Sequence, residues 1–342
     1  MMASMTATAD TVSAALDFQL FALGSSRAFG EDVARHLGCE LAPHEEREFG
    51  DGEHKARALV EVGGRDVFVI HTLGGEGDGS PNDKLVRLLF FIGALRDAGA
   101  RRVTAVAPYL AYSRKDRRTK ARDPVATRYV ASLFEAVRTD AIVTLEAHNV
   151  SAFENAFRRC RPEHVATAGI FADHFATHLT EEQLVVVSPD AGGAKRAELF
   201  RRELERRTGR AVGKALIEKH RSAGVVSGSL FAGDVAGATA IVIDDLISSG
   251  TTLVRAAAAC RERGATKVIA AAAHGLFTGG APELLGPAGP DEVIVTNTVP
   301  LPSGLGLGAA GKLTVVDASR LVAGIIARTH RGEAVSDLLP YD

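Results

Sequence analysis

Cysteine is scarce in this chain. There are three, Cys39, Cys160 and Cys260, and no Cys-x-x-Cys pair. An odd, scattered set argues against a disulfide framework and predicts free thiols in a reducing, cytoplasmic compartment. An excess of charge of either sign is also missing. The formal net charge of −2 gives no global field to recruit nucleic acid or an anionic membrane. No apolar run approaches the ~20 residues needed to cross a bilayer; Leu88–Leu95 is far too short. Residues 1–16 contain neither a basic residue nor an apolar core, so they read as a disordered leader rather than a signal peptide.

What is present is the composition of a soluble globular protein: 46% hydrophobic and 24% charged residues over 342 positions, enough for two domains with their own cores. Short β-favouring runs alternate with amphipathic stretches. Predicted strands are Val67–Ile70, Val103–Ala107, Ala141–Leu145, Leu184–Ser188, Ala240–Ile243 and Lys267–Ala272. Predicted helices include Asp83–Ala98, Ala126–Ala136, Lys195–Arg207 and Leu253–Arg263, with Gly99, Gly209 and Gly264 near helix ends. This alternation predicts an α/β fold with parallel sheets flanked by helices. The polar segment Arg158–His164 suggests a boundary, giving domains over 17–165 and 166–312. A C-terminal helix and tail over 313–342 are placed so that they could return to the first domain.

The densest chemistry lies in residues 239–252, TAIVIDDLISSGTT. A buried strand leads into Asp244 and Asp245, then Ser248, Ser249, Gly250, Thr251 and Thr252, and then a helix. Hydroxyls and unpaired amides at a helix N-terminus favour an anion such as phosphate. The adjacent carboxylates suit sugar hydroxyls or a divalent cation. Other sets follow strand ends, where open α/β sheets place ligands. Six of the nine residues from Arg114 to Arg122 are Lys or Arg, a cluster next to Tyr109 and Tyr112 that suits polyphosphate and a base. Glu146-Ala147-His148-Asn149 offers a metal or phosphate ligand, and Ser188-Pro189-Asp190-Ala191-Gly192-Gly193 an acid beside a close backbone approach. Lys219 and Arg221 precede the Gly/Ser-rich stretch Ser222–Ser229, read as a mobile lid whose cations neutralise a transferring phosphoryl group. Phe49-Gly50-Asp51-Gly52-Glu53 is an acidic turn with an aromatic.

In this order the motifs resemble the ribose-phosphate diphosphokinase family over about residues 18–330. Its members show Phe-Ser-Asp-Gly-Glu, Tyr-x-Arg-Gln-Asp-Arg, Asp-Leu-His, Ser-Pro-Asp-x-Gly-Gly, Lys-Arg-Arg and an Asp-Asp phosphate loop. His274–Gly279 and Thr296–Pro300 also look like segments of that family. The resemblance implies two tandem phosphoribosyltransferase-like domains. It further implies transfer of the diphosphoryl group of ATP to the 1-hydroxyl of ribose 5-phosphate, with Mg²⁺, giving 5-phosphoribosyl-1-diphosphate (PRPP) and AMP. By matched position, Phe49, Asp51 and Glu53 bind adenine across a subunit boundary. Arg114, Lys115, Asp116 and His148 also fall on the ATP side. His148 and Asp190 flank the metal, Lys219 and Arg221 are catalytic, and Asp190, Asp244, Asp245 and Ser248–Thr252 hold ribose 5-phosphate. The implied assembly is a dimer-based homo-oligomer, a hexamer, with no nucleic acid or membrane partner.

The chain departs from the family pattern in several places. Lys115 stands for Gln, Glu146-Ala147 for Asp-Leu, and His220 for the middle Arg of the lid. The further Arg many members carry is absent, with Ser222-Ala223-Gly224 in its place. Ser248 and Thr251 stand for Asp and Gly and bring the loop closer to that of PRPP-consuming transferases. Such a transferase, or a non-catalytic regulatory paralogue, is the alternative reading. The first leaves residues 1–165 unexplained, and the second leaves the retained Lys219, Arg221, His148 and Asp190 without a task.

Overall fold

The computed structural model describes residues 17–179, 182–222, 225–281, 285–306 and 311–335, without the side chains of 219–229. The leader expected at 1–16 lies outside the described residues. In the first half of the chain, β1 (Phe18–Ala22) leads to α1 (Arg27–Leu37), and a hairpin of β2 (His44–Glu48) and β3 (His54–Ala58) follows. The chain continues through β4 (Asp66–Ile70), α2 (Pro81–Asp97), β5 (Arg102–Val106), α3 (Ala126–Ala136), β6 (Ala141–Leu145), α4 (Val150–Glu154) and β7 (Arg161–Val165). Strands β1, β4, β5, β6 and β7 pair in that spatial order, all parallel.

The second half comprises α5 (Ala168–His178), β8 (Leu184–Ser188), α6 (Ala194–Thr208), β9 (Gly213–Ser222), β10 (Val225–Ala232), β11 (Thr239–Ile247), α7 (Thr251–Glu262) and β12 (Lys267–Gly275). It closes with β13 (Glu292–Thr296), β14 (Leu313–Val316) and α8 (Ser319–Arg331). Its sheet runs β10-β9-β8-β11-β12-β13-β14, parallel except for β10, which is antiparallel to β9. The fold is therefore the α/β architecture the alternation implied, with two parallel sheets flanked by helices.

Strand alternation distributes the core between the faces. Val67 and Val69 of β4 join Leu88, Phe91 and Phe134 on one face, whereas Phe68 and Ile70 join Val33 and Ala34 on the other. On β11, Ala240 and Val242 meet Ala256 and Cys260 of α7, while Ile241 and Ile243 meet Phe171, Phe175 and Phe200 of α5 and α6. Helix α2 starts at a capping box: the Ser80 side chain accepts from the Asp83 amide, and Pro81 occupies the first turn. Helix α8 leaves the second sheet at β14 but buries Val322, Ile325 and Ile326 with Phe68 and Val33 of the first. Its end is tied down where His330 Nδ1 lies 2.7 Å from the fully buried Asp66 carboxylate, which also pairs with Arg102. Among the described residues, no helix is long and apolar enough to cross a membrane.

Three stretches differ from the sequence expectation. Arg158–His164 is not simply a polar connection, since β7 begins at Arg161 and forms an edge of the first sheet. An edge strand tolerates Pro162 and polar side chains, which hides its signal. The charged β2–β3 hairpin hides for a similar reason, having little apolar alternation. The Gly/Ser-rich stretch read as a mobile lid is instead backbone-paired: Val226 opposite Arg221, Gly228 opposite His220 and Ser229 opposite Lys219.

Candidate active site

The carboxyl ends of both sheets open onto one cavity of about 800 Å³. The first half of the chain lines it with Asp116, Arg117, Glu146, His148, Asn149 and His164. The second half contributes Asp190, Lys195, Arg196, Glu218, Asp244 and Asp245. Thus Asp116, His148, Asp190, Asp244 and Asp245, singled out from sequence, face a common space although nearly 130 residues separate the first from the last.

Asp244 and Asp245 sit near the end of β11 rather than after it. Asp245 is nearly fully buried; its Oδ2 lies 2.8 Å from His148 Nδ1, and its amide donates to Asp244 Oδ1 at 2.9 Å. Burial and the neighbouring Asp245 charge raise the Asp244 carboxyl far above the usual range. Burial acts in the same direction on Asp245, but the His148 hydrogen bond and Arg196 outweigh it and hold that carboxyl low. The same contact raises His148, against the effect of its own desolvation. The two adjacent acids are thereby pushed in opposite directions, Asp244 toward the protonated form and Asp245 toward the ionised one.

Arg196 escaped notice in the sequence. It lies in the first turn of α6, which the turn at Asp190 aims back at the sheet end. Its Nε donates to Glu146 Oε1 at 2.9 Å, and Nη1 stands 3.7 Å from Asp244 Oδ1 and 3.6 Å from Asp245 Oδ1. In sequence it is one of many cations in a helix rich in Arg and Glu, the pattern of a solvated face. Only its place three residues beyond the glycine turn hints otherwise. Glu146 is also buried: its Oε2 accepts from both the amide and the hydroxyl of Thr167 at 2.8 Å, and its backbone holds φ 44°. Burial would raise this carboxyl, but Arg196 and Thr167 bring it below its ordinary value.

Asp190 caps the turn that begins α6 by accepting from the Gly193 amide at 3.0 Å. Asp116 accepts from Asn149 Nδ2 at 2.6 Å. Neither Arg114 nor Lys115 lines the cavity; Lys115 Nζ is held by Asp123 at 2.8 Å. The loop Ser248–Thr252 lies beyond the acids and also does not line the cavity. Gly250 adopts φ 77° at the start of α7, Ser248 Oγ contacts Thr278 Oγ1 at 2.8 Å, and Ser249 Oγ contacts Thr251 Oγ1 at 3.1 Å. Phe49, Asp51 and Glu53 occupy the tip of the β2–β3 hairpin, away from the cavity, with Arg47 stacked 4.9 Å over the Phe49 ring. The backbone of Lys219 and Arg221 lies in β9, but their side chains fall outside the described residues.

Among the described residues, no group of three or more His, Cys, Asp or Glu side chains is placed to hold a metal ion. His148 and Asp190 line the cavity and could each offer one ligand to a dication. A cation here would complete its coordination with phosphate oxygens and water.

Behind the cavity, the buried His274 joins the two sheets. Its Nε2 lies 3.1 Å from the Leu145 carbonyl, its Nδ1 2.9 Å from Thr298 Oγ1, and its ring meets Tyr109 edge-on at 5.0 Å.

Two family models match the chain. One, described as the N-terminal domain of ribose phosphate pyrophosphokinase, covers residues 18–137. The other, described as a phosphoribosyl synthetase-associated domain, covers 225–340. The chain is 35% identical to a ribose-phosphate pyrophosphokinase of Caldanaerobacter subterraneus subsp. tengcongensis, over 94% of this chain and 97% of that one. A counterpart from Nostoc sp. is 34% identical, over 94% and 93%. Among solved structures, the phosphoribosylpyrophosphate synthetase from Mycobacterium smegmatis superposes with a TM-score of 0.81 at 31% identity, over 92% of this chain and 99% of that one.

Proposed function

The chain belongs to the ribose-phosphate pyrophosphokinase family, and from that premise we propose that it transfers the diphosphoryl group of ATP to the 1-hydroxyl of ribose 5-phosphate, releasing PRPP and AMP. The observation that carries this reading is the shared cavity. It brings the Asp244–Asp245 pair and Asp190 from one sheet against Asp116, Arg117 and His148 from the other. Such a reaction asks mainly for alignment of two substrates and neutralisation of phosphate charge, and little covalent work from the protein.

In this reading Asp244 and Asp245 accept from ribose hydroxyls. The loop Ser248–Thr252, with the first amides of α7, binds the 5-phosphate. Arg117, Arg114 and the strand-borne Lys219 and Arg221 meet the charge of the nucleotide phosphates. Mg²⁺, when bound, neutralises the phosphates of ATP, and His148 and Asp190 are the residues that would flank it. Phe49, Asp51 and Glu53 project from a hairpin tip remote from their own cavity. This supports a homo-oligomer in which one subunit's hairpin completes the adenine site of its neighbour. The free thiols of Cys39, Cys160 and Cys260 fit a cytoplasmic setting.

The test is incubation with Mg²⁺-ATP, with and without ribose 5-phosphate. Sugar-dependent AMP formation is expected, and Lys219→Ala should lower kcat about 10²–10³-fold while barely moving either KM. AMP formation that ignores the sugar, or none from either substrate pair, would overturn the reading.

A further inference from the structure

Two links cross the floor of the cleft from neighbouring residues of the first sheet: His148 to Asp245 and Glu146 to Arg196. They differ in what they leave free. The His148 side chain is 39% exposed and can exchange its partner for a ligand. The Glu146 and Arg196 side chains are only 7% and 14% exposed, and the Glu146 carboxylate is fully used, one oxygen on Arg196 and the other on Thr167. Its left-handed backbone is strained and persists only where the surroundings enforce it. The guanidinium, by contrast, is half used. At 3.6 and 3.7 Å from the acid pair it is beyond good hydrogen-bond range yet well within electrostatic reach.

We infer that Glu146 is a positioning residue for sugar binding: it holds Arg196 back, so that the acid pair is neutralised from a distance and its oxygens stay open to ribose hydroxyls. A guanidinium left unrestrained beside two carboxylates would close on them as a bidentate pair, the strongest pairing open to it, and consume those acceptors. With no guanidinium at all, two adjacent buried acids would repel one another and the ionised one would lose its support. Glu146 sets the distance between these two failures. Thr167, in the connection between the sheets, fixes Glu146 in turn, so the acceptor geometry depends on how the two halves are joined. This inference rests on the sugar-binding role proposed above for Asp244 and Asp245.

The experiment is equilibrium titration of the full chain with ribose 5-phosphate and, separately, with Mg²⁺-ATP, alongside thermal melting. Glu146→Gln is expected to weaken ribose 5-phosphate about 10-fold or more while ATP affinity stays within about 2-fold, the scale of one misplaced charged contact. Arg196→Gln should weaken the sugar as well. The double variant should be no worse than Arg196→Gln alone, because without the guanidinium Glu146 has nothing to hold. A residue with a merely structural role would lower melting and both affinities together. Equal losses for both ligands, multiplying losses in the double variant, or unchanged sugar affinity in Glu146→Gln would each overturn the inference. If Glu146→Gln does not fold, Thr167→Val loosens the same carboxylate without unpairing a charge, and a selective loss of about 3-fold for the sugar is expected. Wild-type protein that binds no ribose 5-phosphate would remove the sugar reading itself and this inference with it. Wild-type binding with no selective loss in the variants would remove the inference alone.

Discussion

Acidification should loosen the junction between the sheets at one identifiable side chain, His274. It is completely buried, and burial pushes its imidazole down to about 4 from 6.5. Its Nε2 lies 3.1 Å from the Leu145 carbonyl and its Nδ1 2.9 Å from Thr298 Oγ1, and burial of the whole ring favours the neutral form. Between those two pH values the unfolded chain binds a proton that the folded chain refuses. Stability therefore rises with pH across this window and is lost as pH falls through it. At pH 4.5, two units below the unfolded value, the loss is about 2–3 kcal/mol relative to pH 7, at ~1.4 kcal/mol per unit. His274→Gln keeps an amide donor for the Leu145 carbonyl but cannot titrate. It should be less stable at pH 7, through lost packing against Tyr109, yet lose about 2–3 kcal/mol less than wild type between pH 7 and 4.5. Urea unfolding at the two pH values measures this, followed by far-UV circular dichroism because the chain has no tryptophan. Comparing the two proteins cancels every other titrating group, including His71, which burial also pushes down to about 4. Equal pH losses in wild type and variant, with equal urea slopes, would refute the assignment.

Two further outcomes follow from the loops. Gly250 holds φ 77°, and an added Cβ would lie 2.8 Å from Leu285 Cγ, so Gly250→Ala should cost about 1–3 kcal/mol of stability and weaken ribose 5-phosphate in a binding titration. Lys84 is fully buried with Nζ 2.8, 3.1 and 3.4 Å from the carbonyls of Gly74, Gly75 and Glu76. Lys84→Met leaves those acceptors unpaired and should cost about 2–4 kcal/mol, with faster proteolysis in the Gly74–Ser80 loop as the local readout.

Much of the fold was legible in the sequence because its central strands are buried on both faces. Runs such as Ala240–Ile243 and Ala141–Val143 are apolar at every position, as burial on both faces demands. Of the strands that escaped, β1, β2, β3, β7 and β14 lie in a hairpin or at an edge, where one side meets water and polar residues or proline cost little, whereas β13 is a short buried interior strand whose apolar run went unread. Strand β10 escaped because Ser227, Gly228 and Ser229 fill its middle, a composition that looks like a loop until β9 pairs with it. The acids at the end of β11 were visible because strand, carboxylates, hydroxyls and helix follow one another without a gap.

Sequence alone thus determined the elements and the groups that sit directly at their ends, since backbone periodicity and local turn chemistry act over a few residues. Only the tertiary structure decided which of those groups meet. Arg196 reads as one cation among many on a polar helix, yet the turn at Asp190 points it into the cleft, where Glu146, 50 residues earlier, fixes it. Helix α8 was placed so that it could return to the first domain, and it does, but only the fold decided that Val322, Ile325 and Ile326 meet Phe68 and Val33 there. Such meetings rest on burial and charge pairing between distant residues, and no pattern of neighbours along the chain can encode them.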